Sequence, residues 1–271
     1  MDKKNIEINK SFLNLLEIMT SLRNPENGCE WDKSQDSYSI RKYCIEEAYE
    51  VVDTIENNDT QGLCEELGDL LFQVIFHAEI NNEKGNFNIY DVIDNLTKKM
   101  IRRHPHVFDD EHKTNSLEQI EKNWIEIKQK ERINKGSNGM LEDIPKALPA
   151  MARSLKFQKR ASENGFDWTN AIDAYKKINE EKEELENAIA KDNYSEIEEE
   201  IGDLIFSIIN LSRKLKIDPE NALRITNNKF FDRIGYMERE LLIEGRKFNE
   251  TNLEDLEELW GNAKKGFRQG E

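Results

Sequence analysis

Two sets of acidic residues in this chain share one spacing. Glu46, Glu47 and Glu50 are followed by Glu66 and Asp69; Glu180, Glu181 and Glu184 are followed by Glu200 and Asp203. Residues three or four apart on a helix share a face, so each set predicts two helices with acidic faces. A short helix–turn–helix connection lays such helices antiparallel and brings the acids together. At ~5 Å and an effective dielectric of ~20, each like-charged pair repels by roughly 3 kcal/mol. A hard divalent cation with oxygen ligands reverses that sign, and Mg²⁺ is the natural candidate because it keeps waters or substrate oxygens in its shell. Soft-metal chemistry would want Cys or His, and none is placed for it. Glutamates are also good helix formers, and acidic faces are usually just solvated. The recurrence decides for a metal site: Glu50 to Glu66 and Glu184 to Glu200 are both 16 residues apart.

Basic and aromatic landmarks recur in the same order. Lys99 with Arg103 is echoed by Lys229 with Arg233, and Trp124 with Lys128 by Trp260 with Lys264. Arg suits forked contact with phosphate oxygens and Lys point-charge contact. A tryptophan beside a cation can stack a base while the cation neutralises phosphate. Acids and bases together predict a metal–phosphate pocket. Neither GxxxxGK[ST] nor GxGxxG occurs, so no P-loop or Rossmann turn cradles the phosphate. His104-Pro105-His106 is a weaker candidate: the proline forces an extended turn, so the rings should diverge in a loop after the helix.

These residues need rigid elements. Glu65–Phe72 (EELGDLLF) is repeated as Glu199–Phe206 (EEIGDLIF), and Asn27–Trp31 (NGCEW) as Asn164–Trp168 (NGFDW), with offsets between 134 and 137. The chain therefore reads as an internal duplication of one module. Leu13, Leu16, Met19 and Leu22 recur at helical spacing, as do Ala48, Val51, Val52 and Ile55, and the apolar positions from Leu63 to Ala78. No stretch alternates with period two. The expected fold is all-α: two tandem helical bundles of about four to five helices each. The expected division is residues 1–133, a polar Gly-containing linker at 134–140, and residues 141–271. Gly68 and Gly202 sit inside apolar helices at a cost of about 1 kcal/mol each relative to Ala, which predicts close packing or ligand approach there.

Composition limits the partners. The 271 residues hold 39 basic and 55 acidic side chains, a net charge of −16, so a nucleic-acid polymer or an anionic membrane surface is an unfavourable partner. The N-terminal sequence MDKKNIEINKSF carries no signal-peptide h-region, and the apolar run Leu70–Phe76 is too short to span a bilayer. Cys29, Cys44 and Cys64 have no CxxC spacing and fit a reducing cytoplasm. A di-iron carboxylate bundle would need Glu-x-x-His pairs, which are absent.

The Glu-Glu-x-x-Glu and Glu-x-x-Asp pairs, with NPENGCEWD (24–32), ELGDLLF (66–72), RRHPHVF (102–108) and NGFDW (164–168), resemble the tandem form of the MazG family of all-α nucleotide pyrophosphohydrolases over nearly the whole chain. The resemblance implies Mg²⁺-dependent hydrolysis of nucleoside triphosphates to the monophosphate and pyrophosphate, dimers of helical modules, and a role in cleaning nucleotide pools, with Mn²⁺ as a substitute ion. It implies metal ligands at Glu181, Glu184, Glu200 and Asp203 and at Glu47, Glu50, Glu66 and Asp69. Glu180 takes the place of a water-activating group, and Glu46 is its counterpart in the first half. Lys177, Lys229, Arg233, Trp260 and Lys264 take nucleotide-contacting positions. Glu196 departs from the pattern, standing where some relatives carry lysine. The alternative is a nucleotide- or metal-binding regulator with weak or no turnover. The second half is expected to do most of the hydrolysis, because in the first half Arg103 runs straight into His104-Pro105.

Overall fold

The computed structural model describes residues 3–110, 113, 116–134, 136 and 139–268. They are mostly helical, with no strand among the described residues. The chain divides into two compact units, Met1–Trp124 and Ile125–Glu271. The division falls inside a continuous helix, Leu117–Asn134, ahead of the linker read at 134–140. Lys135, Ser137 and Asn138 of that linker lie outside the described residues.

The first unit holds α1 (Lys3–Leu22), the short α2 (Glu30–Ser34) and α3 (Ser37–Ile40), α4 (Tyr43–Glu56), α5 (Thr60–Glu83), α6 (Ile89–Arg103) and α7 (Pro105–Phe108). Helix α8 (Leu117–Asn134) carries the chain across the division. The second unit holds α9 (Ala150–Glu163), α10 (Ala171–Ala190), α11 (Tyr194–Lys214), α12 (Pro219–Ile243) and α13 (Leu253–Arg268). The dominant packing in each unit is one helical hairpin, α4 on α5 and α10 on α11. Both hairpins turn through a residue in the left-handed region, Asn58 at φ 54° and Asp192 at φ 56°. Asn and Asp tolerate that conformation because their short polar side chains bond locally. After the first turn, Asp59 caps α5 by accepting from the Gly62 N–H at 2.9 Å. A Cβ on Gly62 would come within 2.5 Å of that carboxylate, so a larger residue there would push the capping side chain aside.

In the first unit Met19, Ile40, Ile75, Phe76 and Ile80 form the buried core, with Phe12, Leu15, Leu16, Tyr43, Phe72 and Ile89 around it. Arg23 is buried among them. It donates to both carboxylate oxygens of Glu83 at 2.6 and 2.7 Å and to the carbonyls of Asp32 and Gln35, which ties the NGCEW turn to the end of α5. In the second unit Arg213 and Lys214, on α11, bind Asp167 and secure the NGFDW turn in the same way.

Three expectations need correction. Pro105 does not open a loop; it opens the short helix α7, since proline at the first helical position forfeits no bond. The rings of His104 and His106 do not diverge but lie 5.7 Å apart, and His104 also stands 5.1 Å from the Trp124 ring. A Cβ on Gly68 or Gly202 would meet nothing within 4 Å, so neither glycine marks close packing within the chain. The predicted stripe on α4 is also only half covered: Val51 and Val52 are partly buried, while Ile55 stays 55% exposed. Among the described residues, no helix is long and apolar enough to cross a membrane.

Ile80 is fully buried in the first-unit core. Ile80→Ala should cost about 2–5 kcal/mol of that unit's stability. Denaturant unfolding of the full chain, followed through a far-UV transition, checks it.

Candidate functional site

The hairpins bring the predicted acids together. In the first unit, carboxylate oxygens of Glu47 from α4 and of Glu66 and Asp69 from α5 all lie within 4.8 Å of one another. In the second, those of Glu181 and Glu184 from α10 and Glu200 from α11 do the same. Glu50 and Asp203 adjoin these triplets through their charges. The electrostatic signature follows. Partial burial, a hydrogen bond shared with Glu50 and the charges of Glu50, Asp69 and Glu66 hold Glu47 above the usual carboxylate range. Glu66 is raised by burial, then by Glu50, Asp69 and Glu65. Glu184 is raised by a hydrogen bond shared with Glu181, by burial, and by the charges of Glu181 and Glu200. Glu200 is raised by burial, then by Asp203, Glu181, Glu199 and Glu196. Oxygen-only ligands, crowded and mutually repelling, suit a hard divalent cation.

The two clusters differ in how they balance this charge. In the second unit Lys177 reaches in from one turn before Glu181, its Nζ 2.8 Å from Glu181 and 2.7 Å from Glu180. These two carboxylates hold the Lys177 ammonium far above its ordinary pKa. Glu181 is buried, and Lys177 is its counter-charge. Glu180 is exposed and shares that lysine with Glu181. In the first unit the matching position is Tyr43, which packs on Trp31 at 6.3 Å. A neutral amide, Gln73 Nε2, reaches Glu47 there at 3.4 Å instead. Glu196 pairs with Lys191 at 3.2 Å and adds its charge to those raising Glu200.

The basic landmarks form a second cluster in each unit. The Arg233 guanidinium of α12 lies 5.2 Å from the Trp260 ring of α13, Lys264 Nζ lies 5.6 Å from it, and Phe230 packs 5.5 Å away. Arg103 stands over Trp124 at 5.6 Å in the first unit. Trp260 thus serves here as a cation platform, and its ring is already engaged by two cations and a phenyl ring. Lys229 is exposed one helical turn before Arg233. Helix α12 packs on both α11 and α9. The sequence reading passed over α9 and its buried Gln158, whose Nε2 donates to the Phe206 carbonyl at 2.7 Å. No charge or spacing in the sequence marks that residue.

An all-α chain with a carboxylate cluster on a helical hairpin, present twice, is a duplicated acidic helical module. The model of the MazG nucleotide pyrophosphohydrolase domain matches residues 35–108 and again 170–235. The chain is 46% identical over 255 residues to a nucleoside triphosphate pyrophosphohydrolase/pyrophosphatase MazG of Thermotoga maritima, covering 94% of this chain and 96% of that one. It is 43% identical over 253 residues to a nucleoside triphosphate pyrophosphohydrolase of Escherichia coli, covering 93% and 96%. A longer Bacillus subtilis protein is 40% identical over 259 residues, which is 95% of this chain and 52% of that protein. The chain belongs to the MazG nucleotide pyrophosphohydrolase family, as an enzyme with two copies of its domain.

The raised carboxylates give a pH test. Glu184 and Glu200 keep protons in the folded chain at pH values where the unfolded chain has released them. Without metal, stability therefore falls as pH rises from the ordinary carboxylate pKa through the raised one. Glu200→Gln should raise the melting temperature of the chelator-treated protein at pH 7.5, and by less at pH 5, in scanning calorimetry.

Proposed function

We propose that the chain hydrolyses nucleoside triphosphates to the monophosphate and pyrophosphate with Mg²⁺, that the second unit does most of this work, and that Mn²⁺ can replace Mg²⁺. The observation carrying the reading is the carboxylate triplet within 4.8 Å on each hairpin, in a chain of this family. Glu181, Glu184, Glu200 and Asp203 would hold the ion in the second unit; Glu47, Glu50, Glu66 and Asp69 would hold it in the first. When bound, the ion supplies Lewis-acid polarisation of phosphoryl oxygens and an acidified water.

The chain's own residues do the rest. Glu180 accepts a proton from the water that attacks the α-phosphorus, and the bridging P–O bond to the β-phosphate breaks. Lys177, released from Glu181 once another cation takes that charge, is free to turn to phosphate oxygens. Arg233 and Lys264, held against Trp260, and the exposed Lys229 offset the charge growing on the leaving pyrophosphate. The unequal counter-charges support the division of labour. The second cluster has a lysine paired directly with its buried glutamate, whereas in the first Glu47 meets the Gln73 amide and the Lys42 ammonium lies over the Tyr43 ring at 4.7 Å.

A homodimer belongs to the same reading. Leu67, Leu71 and Val74 on α5 and Ile201, Ile205 and Ile208 on α11 are each 40–50% exposed and line the hairpins' outer faces. Paired hairpins from two chains would bury such faces, and open glycines at 68 and 202 leave room for close approach. A cytoplasmic setting and the cleaning of nucleotide pools complete the proposal, in keeping with free thiols at Cys29, Cys44 and Cys64.

The test is a pair of full-length variants assayed for pyrophosphate release with Mg²⁺. Glu47→Gln with Glu50→Gln should keep most of the turnover. Glu181→Gln with Glu184→Gln should lose it by a factor of 100 or more, on the order of 3 kcal/mol of transition-state stabilisation. The reverse pattern contradicts the division of labour, and orthophosphate with a diphosphate as products contradicts the chemistry.

A further inference from the structure

The two acid clusters are not equally open to a cation. In the second unit the place beside the most buried acid is already taken. Lys177 Nζ lies 2.8 Å from Glu181, whose side chain is 6% exposed, and 2.7 Å from Glu180. Glu181 is also one of the three acids whose oxygens lie within 4.8 Å of one another. An incoming ion must therefore break a charge-assisted bond to a buried carboxylate and settle beside an ammonium of its own sign. Lys177 is not locked in place. Its side chain stays 31% exposed, and among the described residues its carboxylate partners are these two.

The first unit holds its basic side chains away from the acids. By the repeat, Tyr43 stands for Lys177 and Lys42 for Lys176. Lys42 Nζ lies over the Tyr43 ring at 4.7 Å. The Arg41 guanidinium lies over the Tyr38 ring at 3.4 Å and donates to the Tyr38 carbonyl. Among the described residues neither cation is paired with a carboxylate. Glu47 meets a neutral amide instead, Gln73 Nε2 at 3.4 Å. Burial and the crowding of Glu50, Asp69 and Glu66 hold Glu47 above the ordinary carboxylate range with no lysine to offset them. In the second unit the charge of Lys177 works against the corresponding rise at Glu184. An ion entering the first cluster displaces an amide; one entering the second displaces a charge.

Movement of that one lysine links two ligands. When triphosphate oxygens draw Lys177 away, Glu181 is left for the ion. Glu180 loses its counter-charge in the same step, which suits it to take a proton. Whatever the ion gains from bound phosphate, phosphate gains from the bound ion.

We infer that Lys177 is a latch on the second cation site: in the resting chain it occupies Glu181, so the first unit takes up a divalent cation ahead of the second, and the second fills readily once phosphate draws the lysine away. This rests on the pyrophosphohydrolase reading and adds an order of loading to it. The first unit is the resting cation site of the chain, and the second loads ion and substrate together.

Two full-length variants separate the sites. Glu181→Gln with Glu200→Gln leaves only the first, and Glu47→Gln with Glu66→Gln leaves only the second. Mn²⁺ titration of each, followed by electron paramagnetic resonance without nucleotide, should give at least tenfold tighter binding at the first site. Adding Lys177→Gln to the second-site chain gives Glu181 the kind of amide partner that Glu47 has. It should tighten Mn²⁺ binding there at least fivefold. A triphosphate with a methylene bridge between its α and β phosphorus atoms, at fixed free Mn²⁺, should tighten second-site binding by a larger factor with Lys177 than with Gln. Second-site affinity equal to or above the first, or no tightening by Lys177→Gln, overturns the latch. Should Lys177→Gln lose its helical far-UV signal, Lys177→Arg decides, since the arginine fork can bond both carboxylates. Second-site binding no tighter than with lysine then supports the latch, and tighter binding refutes it. Mn²⁺ held by neither single-site chain sinks the cation reading itself, whereas Mn²⁺ held equally by both sinks only the latch.

Discussion

Like-charge crowding governs this molecule. Each hairpin holds three carboxylates within 4.8 Å and a fourth beside them, an arrangement that water and Coulomb's law both oppose. It persists because the hairpin has its own turn chemistry at Asn58 or Asp192, and its cost shows in carboxylates held above their ordinary pKa by burial, shared hydrogen bonds and one another's charge. The rest of each module supports that hairpin. Arg23 with Glu83 and Arg213 with Asp167 tie the turn before each hairpin to its second helix. That places a tryptophan, Trp31 or Trp168, near the same helix face that carries the acids.

Duplication then allowed the two copies to diverge around a common frame. The acids stayed in both. The groups around them did not: Lys177 corresponds in the repeat to Tyr43, Asn210 to Phe76, and Ser207 to Gln73. At the first of these positions the first unit has a neutral ring in place of a cation, and at the second a buried phenyl in place of an amide. Phe76 belongs to the first unit's buried core, whereas Asn210 lines a cavity in the second.

Much of this was legible in the sequence because it is local. Helices and their acidic faces follow from spacings of three and four, and the hairpin partner follows from the recurrence of both helices at one offset. The pairing of Arg233 with Trp260 was also readable as order, though not its geometry: a ring meant for a base is occupied by two cations in the fold. What could not be read depends on contacts between distant segments. Gln158 matters only because α9 packs on α11 beside Phe206, and Phe76 looks like any core phenylalanine until Trp31 is seen against it. The His104–His106 pair was misread because Pro105 was given its effect on the preceding residue and not its ease at a helix start. The glycines at 68 and 202 point by their cost to close packing or to ligand approach, and nothing in the chain packs against them.

The central claim is that the crowded carboxylates are cation sites and not merely solvated acidic faces. Mn²⁺ titration followed by electron paramagnetic resonance tests it most directly, because free and protein-held Mn²⁺ give separable signals without any nucleotide present. The wild-type chain should hold Mn²⁺, Mg²⁺ should displace it, and Glu181→Gln with Glu200→Gln should remove the second unit's share while the fold stays helical. Equal Mn²⁺ retention by that variant and the wild type would contradict the account.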